Sequence, residues 1–243
     1  MSRDYNQESI DNSRKYAYSF DYDIMHGYMI KAFRVHFKPG GMLELGCFQG
    51  AFTERLTEWF SDITCIEASS DAVRAAKRKE KLAKVKFIES MFEDAVLDRK
   101  YENIILVHVL EHIDERVALL RKIRDEWLAD DGTFIVACPN AYAPSRQIAV
   151  HMGLIKSPEA VTPSEEAHGH RITYSMETLK NDLISSGLSI RYSSGIFFKA
   201  LANFQWDKLM QTDIISKEYL DACYELGMQY PDLCSSIFFV CER

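Results

Sequence analysis

Short apolar runs alternate with amphipathic stretches through the first half of the chain, and this alternation restricts the fold more than any other feature. The runs have the length of single strands, and the amphipathic stretches have the apolar spacing of helices. The predicted strands are Gly41–Leu45, Asp62–Glu67, Val85–Glu89, Asn103–His108 and Thr133–Cys138, and the predicted helices are Phe52–Phe60, Ser70–Leu82 and Arg116–Leu128. Buried strands separated by helices indicate an α/β fold with a doubly wound, mostly parallel sheet and helices on both faces.

Local signals set two predicted helix ends. Asp71 follows two serines and is predicted to cap the N-terminus of the second helix. The triplet Asp130-Asp131-Gly132 is predicted to end the helix that contains Trp127 and to turn the chain into the fifth strand.

The pattern changes after Asn140. The segment from Ala141 to Thr173 contains several Pro and Gly residues and only a short amphipathic piece around Gln147–Met152. It is too long for a plain connection in a compact domain, so we predict a lid or substrate loop. The alternation then returns as a predicted helix at Met176–Ser186 ending at Gly187, a strand at Ser189–Ser193, a helical insertion over Lys199–Tyr230 and a last strand at Ser235–Cys241.

Composition excludes several classes of protein. The chain has 243 residues and a net charge of −7, which disfavours a large nucleic-acid interface. No run of apolar residues is long enough to span a membrane, and the polar N-terminus lacks the apolar core of a secretion signal. The six cysteines form no CxxC pair, and most lie in apolar runs where a thiol behaves as a small hydrophobe. We therefore expect a cytoplasmic protein, monomeric or homodimeric, with reduced thiols.

The turn after the first strand has the composition of a nucleotide-binding loop. Gly46 allows a tight turn and close approach of a ligand, and Gly50 precedes the next helix. A dinucleotide site would need a further glycine where this chain has Phe48. Glu44 instead supplies a carboxylate, which suits an amino group and repels a phosphate. The loop therefore favours S-adenosylmethionine over NAD.

A second acid supports this interpretation. Glu67 ends the second strand, 17 residues after Gly50, where a carboxylate accepts hydrogen bonds from ribose hydroxyls. Either acid alone is ordinarily a solvated charge at a strand end. The two together at this spacing favour a cofactor site.

With these residues in place, the chain resembles class I S-adenosylmethionine-dependent methyltransferases, in particular the type 11 and type 23 groups. The resemblance covers about Gly41 to Ser194 and includes Leu43–Gly50, Cys65–Ala68, Phe87–Asp94, Val109–His112 and Leu128–Asn140. It implies a Rossmann-like seven-stranded sheet. Most relatives have Asp where this chain has Met91, so backbone groups and apolar side chains are expected to hold adenine. The implied cofactor-binding residues are Glu44, Gly46, Cys47, Phe48, Gly50, Glu67, Ala68, Ser90, Met91, Phe92 and His108.

We accordingly predict one methyltransferase domain over residues 1–243. Its parts are an N-terminal helical cap (1–37), a cofactor-binding half (38–140), the lid segment (141–174), and a C-terminal half (175–243) that contains the insertion (199–230). The cap is rich in aromatic residues, which either close a binding cleft or pack the helix onto the sheet; they are Tyr16, Tyr18, Phe20, Tyr22 and Tyr28.

The candidate catalytic residues come from the end of the fourth strand and from the lid segment: His108, Glu111, His112, His168, His170 and Tyr174. Three interpretations stay open. A histidine could take the proton from the methyl acceptor. A divalent metal, which we do not favour, could bind His108, Glu111, His112 and His168, as the resemblance to small-RNA methyltransferases suggests. His112 could instead have a purely structural role.

Candidate substrate-binding residues are Tyr142, Arg146, Arg171 and Phe198. The two arginines would suit a carboxylate or a phosphate, unless they are lid surface charges. The expected function is methyl transfer to an oxygen or nitrogen of a small biosynthetic metabolite. The alternatives are an RNA or protein methyltransferase, a cofactor-binding regulator without turnover, and an NAD-dependent enzyme, which Phe48 and Glu44 oppose.

Overall fold

The computed structural model describes Asn6 and residues 18–243, and its centre is a seven-stranded sheet. The strand order is β3-β2-β1-β4-β5-β7-β6. Strands β1 to β5 are parallel, and β7 runs antiparallel to both β5 and β6. The strands are β1 (Met42–Leu45), β2 (Ile63–Glu67), β3 (Lys86–Glu89), β4 (Tyr101–Val107), β5 (Leu128–Pro139), β6 (Ser189–Phe198) and β7 (Cys234–Glu242). The predicted doubly wound, mostly parallel sheet is confirmed.

Helices cover both faces of the sheet, because neighbouring strand residues point to opposite sides. Ile104 belongs to a hydrophobic cluster with Trp127 and Leu183, whereas Ile105 belongs to a second cluster with Phe33 and Trp206. None of the helices in residues 18–243 is long and apolar enough to cross a membrane. The helices are α1 (His26–Phe33), α2 (Ala51–Leu56), α3 (Ser70–Lys77), α4 (Arg116–Lys122), α5 (Pro144–His151), α6 (Pro163–Ala167), α7 (Met176–Ser186), α8 (Asn203–Leu209) and α9 (Lys217–Gln229).

Two predicted helix ends are wrong. The N-cap of α3 is Ser69, whose hydroxyl accepts a hydrogen bond from the backbone N–H of Ala72; Asp71 already lies inside the helix. The triplet at 130–132 lies within β5, which begins at Leu128 directly after a π-helical turn. Gly132 is needed there because a Cβ would lie 3.0 Å from the carbonyl oxygen of Tyr101 on the neighbouring strand.

The second half of the chain follows its predicted order, with longer strands. Helix α7 begins and ends at the predicted residues, and Gly187 ends it in the left-handed conformation at φ 84°. Strand β6 continues to Phe198, beyond the predicted Ser193, because β7 pairs with it along its length. The insertion contains two helices, α8 and α9, and the lid segment contains two, α5 and α6.

The aromatic residues of the N-terminal cap divide between two roles. Phe20 stacks on Trp206 of α8 with ring centroids 4.9 Å apart, and Tyr28 stacks on Tyr224 of α9 at 5.1 Å, so both pack the cap onto the helical insertion. Tyr18 and Tyr22 instead line a cavity at the carboxyl ends of the strands. Tyr16 lies outside the described residues.

Candidate cofactor and acceptor site

A cavity of about 430 Å³ lies beside the carboxyl ends of β1, β2 and β4. Its wall includes the turn after β1, the end of β2, the loop after β4, the lid segment and the N-terminal cap. Open parallel sheets bind their ligands at this edge, and the volume is that of a small-molecule site.

The turn after β1 is shaped by left-handed backbone conformations. Gly46 has φ 76°, and a Cβ on it would lie 2.5 Å from a methyl carbon of Val109. Phe48 has φ 47°, which is unusual for a residue with a side chain, and Gly50 has φ 76°. Such conformations are unfavourable by themselves and persist only where the surrounding structure maintains them. They are concentrated at ligand-binding sites.

Glu67 fastens this turn to the end of β2. One carboxylate oxygen accepts a hydrogen bond from the backbone N–H of Phe48, and the other accepts one from Ser69, both at 2.8 Å. Burial raises the pKa of Glu67, and these backbone donors lower it. Because a carboxylate offers about four lone-pair positions, each oxygen can still accept a ribose hydroxyl.

Glu44 is the second acid in the cavity wall, and its side chain is buried. Burial raises the pKa of Glu44 to about 7, although hydrogen bonds from Thr53 and Cys65 oppose the shift. The Cys65 thiol donates to Glu44 Oε2 at 3.4 Å. A desolvated carboxyl of this kind gains its charge readily when a cationic group pairs with it.

Most of the predicted cofactor-binding residues lie in the cavity wall. Those that line it are Glu44, Gly46, Cys47, Phe48, Glu67, Ala68, Met91, Phe92 and His108. Gly50 and Ser90 do not line it. Gly50 ends the turn and donates to the Cys47 carbonyl at 2.8 Å, and Ser90 donates its N–H to the Glu67 carbonyl at 3.1 Å, so both support the wall from behind.

His108 lies at the end of β4 in the left-handed conformation, at φ 53°. Its ring is directed by a hydrogen bond between Nε2 and the Ser236 hydroxyl of β7, at 2.9 Å. Burial, with a smaller effect of His170, lowers the pKa of His108 to about 4. The imidazole is therefore neutral at physiological pH and can accept a proton only briefly.

The lid segment brings further histidines to the same cavity. His168 and His170 line it together with Glu111 and His112 of the loop after β4. The backbone N–H of Arg171 donates to the Glu111 carbonyl at 2.7 Å, which joins the lid segment to that loop. The His112 and His170 rings meet edge to face with centroids 4.5 Å apart.

One carboxylate and two imidazoles in this group have the spacing of metal ligands. Atoms of Glu111, His112 and His170 lie within 4.8 Å of one another. This set differs from the predicted one, because it contains His170 and lacks His108 and His168. Glu111 Oε2 is buried without a hydrogen-bond partner among the described residues, and burial raises its pKa to about 8. A carboxylate and two imidazoles form a donor set of the kind that binds transition metals.

Five of the predicted site residues are not among those that line the cavity. Tyr174 is buried in the core, where its hydroxyl donates to Asp182 at 2.7 Å, so its role is structural. Arg146 holds the lid segment together through the Pro158 and Ala160 carbonyls and Glu165. The remaining three are Arg171, which pairs with Asp114 at 3.0 Å, Tyr142, which bonds Glu159, and Phe198 near the end of β6.

The cavity residues that the sequence analysis missed include Asp21, His26 and Asn203. His26 packs edge to face against Phe52 at 5.1 Å and against Tyr22 at 5.4 Å. Burial lowers the pKa of His26 to about 3, and its Nδ1 is buried without a hydrogen-bond partner among the described residues. Asp21 lies in the π-helical turn at Asp21–Met25, which has no simple sequence signature, His26 follows that turn directly, and Asn203 begins α8.

Comparison with known proteins identifies the family. A family model described as a methyltransferase domain, type 23, matches residues 21–193, which is well over half of the chain. The chain belongs to this family. The predicted class of enzyme and its cofactor, S-adenosylmethionine, are thereby confirmed. The residues that line the cavity fit this cofactor. Glu67 lies in the cavity wall beside the turn after β1, and a Cβ on Gly46 in that turn would overlap Val109.

Individual relatives match over shorter lengths. Nodulation protein S of Azorhizobium caulinodans is 31% identical over 102 residues, which are 41% of this chain and 49% of that protein. The (S)-coclaurine N-methyltransferase of Thalictrum flavum subsp. glaucum is 31% identical over 109 residues, or 42% of this chain and 30% of the relative. This chain therefore spans less than half the length of these curated relatives.

A solved structure shows the shared fold over most of the chain. An S-adenosylmethionine-dependent methyltransferase from Mesorhizobium loti aligns with a TM-score of 0.62 and 15% identity. The alignment covers 89% of this chain and 98% of that one.

Replacing Gly46 tests whether cofactor binding needs the close approach of the Gly46 backbone to Val109. We expect Gly46→Ala to abolish binding of S-adenosylhomocysteine in calorimetry, because the new Cβ would overlap Val109. Gly153→Ala is the matched control: Gly153 has φ 71° but open space around its Cβ position. It should lose about 1 kcal/mol of stability to backbone strain and keep its affinity. Unchanged affinity in Gly46→Ala would show that the close approach is dispensable.

The raised pKa of Glu44 predicts a pH dependence of cofactor binding. Below about pH 7 the Glu44 carboxyl is neutral, and it must lose a proton to pair with the amino group of the cofactor. Affinity should therefore rise by about tenfold as pH increases from 5.5 to 7 and then level off. The difference between the pH profiles of wild type and Glu44→Gln separates the effect of Glu44 on cofactor affinity from that of Glu67. Parallel pH profiles in calorimetry would contradict the pairing.

Proposed function

We propose that this protein transfers a methyl group from S-adenosylmethionine to a nitrogen or oxygen of a small, uncharged or cationic molecule. One observation carries the proposal: the cofactor wall, with Glu67 fastened to the turn after β1, continues into a wall of histidine and carboxyl side chains in the same cavity. The cavity volume of about 430 Å³ is that of a small-molecule site.

The cofactor supplies a methyl group already activated by its sulfonium. The protein's own contribution is alignment, since orienting two reactants can supply much of the rate. Glu44 would bind the amino group of the cofactor, and Glu67 would bind its ribose hydroxyls. His108, held by Ser236, and the lid histidines His168 and His170 surround the acceptor position. The lid segment excludes water from this space.

The charge of the cavity wall selects against anionic acceptors. Among residues 18–243, no Lys or Arg side chain lines the cavity, while Asp21, Glu44, Glu67, Glu111 and Glu165 do. The predicted anion-binding arginines face elsewhere. A nitrogen acceptor is favoured over oxygen by this acidic wall and by the resemblance to an enzyme named as an N-methyltransferase.

Neutral imidazoles provide the proton acceptor. An amine or hydroxyl acceptor must lose a proton when it is methylated, and His108, which lines the cavity at the end of β4, would take it. Its lowered pKa makes it a weak base at equilibrium, so the proton would be released again to solvent.

Glu67→Gln tests the cofactor assignment on which the function depends. The amide keeps the shape of the side chain but places an N–H₂ group where a carboxylate oxygen accepts hydrogen bonds from Phe48 or Ser69 and from ribose. We expect affinity for S-adenosylhomocysteine to fall at least about tenfold. The control is Glu89→Gln at the paired position of β3, where the side chain is exposed. Equal affinities in the two variants would exclude Glu67 as the ribose ligand.

His108→Asn tests the base. Asparagine tolerates the left-handed backbone that alanine would strain, so the turn should persist. We expect turnover with an amine acceptor to fall by about 10²-fold while cofactor affinity stays within about threefold. His151→Asn, on an exposed position of α5, is the control. If His108→Asn and wild type turn over at the same rate at every pH from 6 to 9, His108 is not the base.

A further inference from the structure

The N-terminal cap forms a separate part of the cavity wall with its own chemistry. Tyr18, Asp21, Tyr22 and His26 come from the cap, and Asn203 comes from the start of α8. None of these residues belongs to the turn after β1 or to the histidines around the acceptor position. We call this set the cap subsite.

The carboxylate of Asp21 is held in a fixed orientation. The Asn203 amide donates to its two oxygens at 2.8 and 2.9 Å, and the Tyr18 backbone N–H donates at 3.3 Å. These donors are neutral, so they orient the carboxylate without cancelling its charge. Lone-pair positions are left for a further donor.

Two charged side chains interact electrostatically with Asp21. The first is Lys199, which is buried and attracts the Asp21 carboxylate, but it lies outside the cavity wall and donates to the Leu201 carbonyl at 3.1 Å. Asp207 adds a second carboxylate, which accepts hydrogen bonds from the Ser19 and Phe20 backbone. Burial raises the pKa of Asp21, and Lys199 lowers it. A desolvated carboxyl in this setting is stabilised as an anion by an incoming cation.

Aromatic side chains line the same part of the cavity wall as Asp21. Tyr18 and Tyr22 line the cavity beside Asp21, and His26 and Phe52 continue the ring surface. Burial raises the pKa of Tyr22 to about 12, so its hydroxyl stays neutral. Aromatic faces beside a carboxylate recognise organic cations, which are attracted to the ring quadrupole.

We propose that the cap subsite binds a positively charged ammonium group of the methyl acceptor, with Asp21 as its ion partner and Tyr22 as its ring contact. This inference rests on the proposed function, because it assigns the substrate class of the same cavity. The N-terminal cap is thus a specificity element, as well as a cover for the sheet. It makes amine-bearing molecules the preferred acceptors.

Calorimetry with three probes of similar shape tests the subsite: 2-phenylethylamine, 2-phenylethanol and phenylacetate. Each is titrated into the full chain saturated with S-adenosylhomocysteine. The ammonium probe should bind at least about tenfold more tightly than the alcohol and the carboxylate. Asp21→Asn should remove that preference while leaving the affinity for the alcohol unchanged. Tyr22→Leu should weaken the ammonium probe alone, and Tyr22→Phe should restore it.

Asp23→Asn is the matched control, because Asp23 lies in the same π-helical turn and is exposed. It should behave as wild type with all three probes. Equal losses of affinity for the amine and for the alcohol in Asp21→Asn would overturn the proposal in favour of a structural role. Equal affinity of wild type for the three probes, or no binding of any of them, would overturn it as well. Prior titration of S-adenosylhomocysteine separates the two claims: if it fails to bind wild type, the proposed function itself fails.

Discussion

The site depends on one buried carboxylate that joins two strands. Glu67, at the end of β2, accepts hydrogen bonds from the backbone of Phe48 and Ser69. The first contact holds the turn after β1, and the second holds the start of α3. Since the left-handed conformation of Phe48 is unfavourable by itself, an interaction of this kind must maintain it. The shape of the cofactor wall therefore follows from the position of a single side chain.

The acceptor side of the cavity is assembled from distant parts of the chain. His108 extends from β4 and is directed by Ser236 of β7, 128 residues away. The lid segment joins the loop after β4 through the hydrogen bond from Arg171 to Glu111. Arg146, although it does not face the cavity, keeps the lid segment compact. Strands β4 and β7 thus place the central histidine, and the lid segment contributes His168 and His170 to the same cavity wall.

Charge gives the cavity a consistent character. Carboxyl groups line it, several with pKa values raised by burial, and the buried imidazoles of His26 and His108 are neutral. Desolvated acids and neutral rings lower the free energy of positively charged ligands. The cofactor carries a sulfonium and an ammonium, so the same surroundings suit both the cofactor and a cationic acceptor. The absence of lining Lys and Arg in residues 18–243 agrees with this.

The sequence alone predicts the sheet, the turn after β1 and the family, and it places Glu44 and Glu67 at the strand ends where both line the cavity, because these features depend on local patterns. Hydrophobic periodicity is set by neighbouring residues, and Glu44, Gly46 and Glu67 lie at fixed distances from strand ends. The ends of α3 and β5 were less predictable. Ser69 and Asp71 are both good capping residues, and the length of β5 depends on pairing with β4 and β7.

Tertiary structure alone decided which polar side chains meet in the cavity. Tyr174 and Arg146 carry the right chemistry, but packing directs one into the core and the other across the lid segment. Asp21 and His26 have no distinctive sequence context, yet the π-helical turn brings both to the acceptor side. A local pattern fixes the direction of a side chain only relative to its own element. Where that element lies against the sheet is set by contacts between residues far apart in sequence.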